Sequence, residues 1–293
     1  MSAELDKAYQ YCTQLTKKEA RNFYYAFITL PNKKRKAIHA VYAFSRLCDD
    51  IADECNPLKY KVDRLNNLKR DLKECYAGNP KGFVFSALGD CSLEFQIPME
   101  YFEDIIEGVE IDLRKTRYDD FNELKSYCYK VASVVGLICI NVFGYSRPEA
   151  KEYAINLGLA MQLTNIIRDI KEDAERGRIY IPLDELSQFG YSEKELIKGL
   201  ETEAFRKLMM FQTNRAREYF AKGRLLIPLL PIRSRACPAI LAGIYSALLD
   251  KIEREEFKVF HKRISLNLTK KLLIMIGLWV QSLCRLPSIP KRL

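Results

Sequence analysis

AIHAVYAFSRLCDDIAD, residues 37–53, and LAMQLTNIIRDIKED, residues 159–173, decide how this chain is read. Each is an apolar helical pattern that ends in two aspartates four residues apart: Asp49 and Asp53 in the first, Asp169 and Asp173 in the second. At that spacing two carboxylates lie one turn apart on the same helix face, where like charges cost an isolated helix roughly 0.2–0.5 kcal/mol. The pairs also extend into longer stripes. Tyr42, Arg46, Asp49 and Asp53 step by 4, 3 and 4 residues, and Gln162, Asn165, Asp169 and Asp173 by 3, 4 and 4. Both series trace a single helix face. A lone pair would read as an ordinary solvated face. Two polar stripes on apolar helices read instead as lines of ligands turned toward the protein interior. Carboxylates in such surroundings need cations or donors to stay ionised. Hard ions such as Mg²⁺ take oxygen ligands and bridge carboxylates to phosphates. The pattern therefore predicts a clamp for a diphosphate, with Asp50 and Glu172 beside the stripes and dispensable.

Outside these stretches the helical signal continues. Patterns cover about 60–76, 98–113, 120–143, 192–222, 236–256 and 266–284, and strand signals are weak. Thr16-x-x-Glu19, Ser146-x-x-Glu149 and Ser192-x-x-Glu195 have the form of capping boxes, and Asn32 that of an N-cap. The second acidic helix should run unbroken to about Arg176-Gly177-Arg178. The expected class is all-α. With 293 residues, 48% hydrophobic, and no linker-like Gly/Pro stretch, one domain spanning 1–293 is expected.

The net charge of +9 is uneven: residues 201–293 hold 18 Lys and Arg against 7 Asp and Glu, +11, so the first 200 sum to −2. No zinc-finger, homeodomain-like or RNP pattern accompanies the basic third, so nucleic acid is not expected. Contact with an anionic membrane surface stays open. Nine cysteines without a CxxC pair, with only His39 and His261 to join them, build no standard zinc site and suit reduced thiols. The start lacks a secretory pattern, and the longest apolar runs, 131–143 and 272–284, fall short of the ~20 residues that span a bilayer. The expected location is the cytoplasm, with peripheral contact at its membrane.

The motifs together resemble the squalene/phytoene synthase family of head-to-head prenyltransferases. Phe23-Tyr-Tyr-Ala-Phe27, Tyr42-Ala-Phe-Ser-Arg46, Asp49-Asp-Ile-Ala-Asp53, Tyr127-Cys-Tyr-Lys-Val-Ala132, Gln162-Leu-Thr-Asn-Ile-Ile-Arg-Asp169 and Arg176-Gly-Arg-Ile-Tyr-Ile-Pro182 occur in the family's order and spacing, and the likeness runs on to Arg263-Ile-Ser265. The resemblance implies the isoprenoid synthase fold, a single helical domain around a central cavity. It implies that Asp49, Asp53, Asp169 and Asp173 hold Mg²⁺ (Mn²⁺ as a substitute) on two prenyl diphosphates. Arg46, Asn165, Arg168 and Arg178 match positions that touch metal or phosphate; Tyr42, Tyr127 and Tyr245 match tyrosines of the reaction chamber; Phe23 and Gln162 match its tunnel. Val131-Ala132-Ser133 departs from the Ala-Gly of many members and looks more like the bacterial presqualene diphosphate synthases of the hopanoid route. Condensation of two farnesyl diphosphates to presqualene diphosphate is accordingly the leading expectation, in a monomer with no NADPH step. The alternative is phytoene from two geranylgeranyl diphosphates, or dehydrosqualene; a non-catalytic prenyl-diphosphate-binding relative is a third. The catalytic base, a tyrosine or the released diphosphate, is left open.

Overall fold

The computed structural model describes residues 3–283, so Cys284 of the nine thiols lies outside the described residues. All described elements are helical. The chain begins with α1 (Ala3–Glu19), α2 (Arg21–Phe27), α3 (Asn32–Asp53), α4 (Leu58–Tyr76), α5 (Gly82–Phe95) and α6 (Met99–Arg114). It continues through α7 (Phe121–Cys128), a π-helical turn (Tyr129–Ser133), α8 (Val134–Phe143), α9 (Ala150–Arg168) and α10 (Ile170–Glu175). Two short helices, α11 (Leu183–Gln188) and α12 (Glu193–Ile197), lead to the long α13 (Glu203–Gly223) and α14 (Ile232–Arg254), and α15 (Leu268–Leu283) packs on α14. One continuous apolar core joins α1 through α14.

Several expected boundaries move. Ser192 and Glu195 do form a reciprocal capping box at α12. Thr16 instead lies inside α1, its hydroxyl donating to the Cys12 carbonyl at 2.8 Å. Ser146 donates from its backbone N–H to Leu229 O at 3.0 Å, and α9 starts four residues later. The second acidic helix breaks at Asp169, where φ −100° and ψ 13° separate α9 from α10. The stretch Phe121–Phe143 forms a 23-residue helix that is long and apolar enough to cross a membrane by length and composition, where the sequence showed only its apolar 131–143 half. Half of its apolar window is buried in protein, and Lys130, midway along, pairs with Asp104 and Glu107 at 2.7 Å each. It is a core helix of this fold.

Its π turn lies against α9 with almost no clearance. A Cβ at Gly158 would come within 2.6 Å of Ala132 O and 2.7 Å of the Ser133 Cα, both backbone atoms that cannot swing away. Gly158→Ala is therefore expected to lower stability by about 1–3 kcal/mol, read as a fall in melting temperature. An unchanged melting temperature would contradict this packing.

Candidate active site

α2, α3, the π turn with α8, α9 and α14 enclose a cavity of ≈ 320 Å³. Most of its wall is apolar, including Val135, Ile140, Leu157, Met161 and Leu241. Tyr42, Ser45 and Asp49 from α3, Gln162 and Asn165 from α9, and Tyr245 from α14 supply its polar lining. Phe23 enters from α2, its ring centroid 6.4 Å from Tyr42 and 6.2 Å from Tyr245. Six of the residues singled out by sequence thus line one chamber.

The acidic groups behave differently from one another. Asp49 is surrounded by protein yet faces open cavity space, where water reaches it. Burial, reinforced by Asp53 and Asp112 against the opposing pull of Arg46, pushes its pKa up to about 7. Arg46 itself pairs with Asp50 at 2.6 Å, not with either member of the stripe. Asp53, half exposed at the end of α3, meets Arg176 at 3.5 Å.

At the break between α9 and α10, Asp173 N–H donates to Asp169 O at 2.9 Å, so the second pair stays one turn apart despite the kink. Burial alone would raise Asp169; the guanidiniums of Arg168 (2.7 Å) and Arg263 (2.9 and 3.1 Å) outweigh it and hold the carboxyl below its usual range. Glu172 lies 3.5 Å from the same Arg263. Asp173 has no such clamp. Burial and the charge of Asp169 push it up to about 7, with Arg178 pulling the other way.

Asp112 on α6 was not legible in the sequence. It accepts hydrogen bonds from Tyr127 (2.7 Å) and Tyr180 (2.8 Å) and stands within electrostatic reach of Asp49, Asp53 and Asp173. Arg178 donates to its backbone carbonyl at 3.2 Å and also acts on Asp53. Tyr127 is accordingly displaced from its expected place: it is absent from the cavity wall, stacks on Tyr180 with centroids 5.4 Å apart, and holds Asp112. No repeat in the sequence marks Asp112, and Arg263 lay within a matched segment without a role.

The donor set suits a hard divalent cation. Every candidate ligand is an oxygen, two of the carboxylates are held above their ordinary range, and the buried Asn165 Oδ1 has no hydrogen-bond partner. Among the described residues no three His, Cys, Asp or Glu side chains converge as a ready-made ion cage.

Comparison with known proteins bears on the family and the fold. The sequence profile described as squalene/phytoene synthase matches residues 16–270. A 15-cis-phytoene synthase of Synechocystis sp. is 37% identical over 292 residues, covering 96% of this chain and 87% of that protein. The structure of a dehydrosqualene synthase in complex with ligand superposes with a TM-score of 0.88 at 29% identity, covering 95% of this chain and 97% of that one. Squalene synthase HpnC from Alicyclobacillus acidocaldarius gives 0.83 at 29% identity, covering 88% and 97%.

Proposed function

The chain belongs to the squalene/phytoene synthase family, and from that premise we propose that it joins two geranylgeranyl diphosphates head to head into phytoene. The observation that carries the proposal is an apolar chamber whose wall takes in Asp49 from the first stripe and Gln162 and Asn165 from the second. Likeness to a phytoene synthase along nearly the whole chain favours the C20 substrate. It outweighs the Val131-Ala132-Ser133 departure, on which the farnesyl expectation rested. Those residues form the π turn that fits Gly108 and Gly158: a Cβ at Gly108 would come within 2.6 Å of Val131 Cγ1. Backbone packing thus constrains this position alongside any effect on substrate. The structural likeness to squalene and dehydrosqualene synthases supports the C15 condensation as second reading.

Divalent cations held by Asp49, Asp53, Asp169, Asp173 and Asn165 Oδ1 would neutralise the departing diphosphate as Lewis acids. Arg46, Arg168 and Arg178 add fixed positive charge beside those carboxylates, which orients the diphosphate end of the substrate. The apolar wall receives the prenyl tails and excludes water, which would quench an allylic cation. Burial pushes the Tyr42 phenol up to about 12 and raises that of Tyr245. Both stay protonated and serve through ring faces and hydroxyl dipoles. Asp112, fixed by two tyrosines, positions the acidic mouth.

The test offers each diphosphate separately and both in competition, with Mg²⁺, and identifies products by mass spectrometry. Phytoene as the main product is the expected result. Presqualene diphosphate or dehydrosqualene in its place would establish the second reading, and no coupled product from either would defeat both.

A further inference from the structure

Three walls of the chamber, followed inward from Asp49, converge on one lysine. Along α3 the lining steps from Asp49 to Ser45, Tyr42 and Ile38, and one turn further lies Lys34. Along α14 it steps from Tyr245 to Leu241 and Pro238, and one turn further lies Ser234. Along α8 it passes from Val135 to Cys139 and ends at Phe143, the last residue of that helix. The π turn and α8 run antiparallel to α9, because Ala132 O backs Gly158 and Ala154 O backs Gly136. Phe143 therefore lies at the end of the chamber away from Asn165. From Asp49 to Ile38 the lining covers about 16 Å of helix.

At that far end the three stripes are tied together. Lys34 Nζ donates to Phe143 O at 2.6 Å and to Ser234 Oγ at 3.1 Å, and Ser234 Oγ donates to the same carbonyl at 3.3 Å. Phe143 O is one of the carbonyls that the end of α8 leaves without an intrahelical partner, and a lysine suits that end. Among the described residues no other α3 side chain hydrogen-bonds to α8 or α14. In other respects the placement is unfavourable. The ammonium belongs to the first turn of α3 and meets the first turn of α14, two positive helix ends. Burial pulls its pKa down, and no carboxylate among the described residues pairs with it. What the cation secures is the position of Phe143, a buried wall residue of the cavity. Apolar contacts are non-directional, so helix ends held by them alone can part to admit a longer occupant. A charge-assisted hydrogen bond is roughly twice as strong as a neutral one and fixes the separation.

We propose that the clasp of Lys34, Phe143 O and Ser234 is the stop that sets the longest prenyl tail the chamber accepts. This rests on the reading that prenyl tails fill the chamber, and not on which length is joined. Lys34 touches no tail; it is a positioning residue that acts through Phe143. With the diphosphate gripped at the acidic mouth and Phe143 fixed at the floor, tail length is measured between two set points.

Calorimetry with non-reactive farnesyl (C15), geranylgeranyl (C20) and geranylfarnesyl (C25) diphosphate analogues, in Mg²⁺, reads the stop without turnover. The parent should bind the C25 analogue about tenfold or more weakly than the C20 one, the scale on which an apolar pocket discriminates added methylenes. Lys34→Met keeps the aliphatic stem and leaves Ser234 on the carbonyl, so it should melt close to the parent. It should bind C25 about tenfold more tightly than the parent does, with C20 affinity little changed. Ser234→Ala removes one partner of the ammonium and should relax the same ratio by less. Lys33→Met, which alters the exposed neighbour paired with Glu94, should discriminate as the parent does. An unchanged ratio of C20 to C25 affinity in both Lys34→Met and Ser234→Ala would leave the clasp a staple and overturn the proposal. A parent that binds C20 and C25 alike would also overturn it. A parent that rejects C20, with Lys34→Met admitting it, would fail the phytoene reading and uphold the stop. Binding of none of the three by the parent would defeat the reading of the chamber and the stop with it.

Discussion

Asp53→Asn and Asp169→Asn are each expected to cut steady-state diphosphate release by roughly 10²-fold or more, the scale of losing one transition-state charge contact. The stability responses should separate the four aspartates, because their surroundings differ. Asp53 is half exposed, and its amide should melt within a few tenths of a kcal/mol of the parent. Asp169→Asn leaves the largely buried Arg168 without its carboxylate and should cost about 1–3 kcal/mol. Asp49→Asn and Asp173→Asn remove charges that the fold holds against their preference, and both should melt higher than the parent at pH 8 in the absence of divalent ions. Losses of turnover should combine non-additively, since the ligands act as a unit. Asp50 and Glu172 are poor controls, contrary to their position beside the stripes, since they hold Arg46 and Arg263. The exposed Asp63 on α4 serves better. Near-parental turnover in Asp53→Asn and Asp169→Asn would show that these carboxylates are merely solvated helix faces.

Excess EDTA is expected to abolish turnover, and Mg²⁺ or Mn²⁺ to restore it, because bare carboxylates repel a diphosphate. Asp49 and Asp173 also give the metal-free chain a pH signature. Their folded pKa values are raised to about 7, so between about pH 4 and 7 the folded chain holds protons that the unfolded chain has released. Folded stability must therefore decline as pH rises through that window. Divalent ions, binding the folded form, should recover it above pH 7. Melting curves across pH, with and without Mg²⁺, check both signs. Turnover in EDTA, or a melting temperature indifferent to Mg²⁺ at pH 8, would count against the clamp.

The parts of this site that repeat along one helix were legible in the sequence. The step from Tyr42 to Arg46, Asp49 and Asp53 is periodic, and the fold keeps it on one side of α3. The Gln162 to Asp173 stripe also holds its face, but the break at Asp169 was invisible, because a kink need not disturb the spacing of the residues around it. Contacts between distant segments left no such trace. Asp112 acquires its place only when Tyr127 and Tyr180 fold over it, and Arg263 reaches Asp169 across 94 residues. Tyr127 shows the converse: its motif was recognisable, but the side chain turned to Asp112 rather than into the chamber. α1 and α5 were not foreseen either. The Thr16-x-x-Glu19 spacing imitated a helix start inside α1, and α5 opens on Gly-Phe-Val-Phe, residues of weak helix propensity held helical by the core that Phe85 and Leu88 enter.

Equilibrium binding of a non-reactive geranylgeranyl diphosphate analogue, followed by calorimetry, tests the clamp most directly because no turnover is involved. Binding should require Mg²⁺, disappear in EDTA, fall sharply in Asp53→Asn and Asp173→Asn, and persist in Asp63→Asn. Equal affinity with and without Mg²⁺, or parental affinity in both variants, would contradict the assignment of these aspartates to the diphosphate.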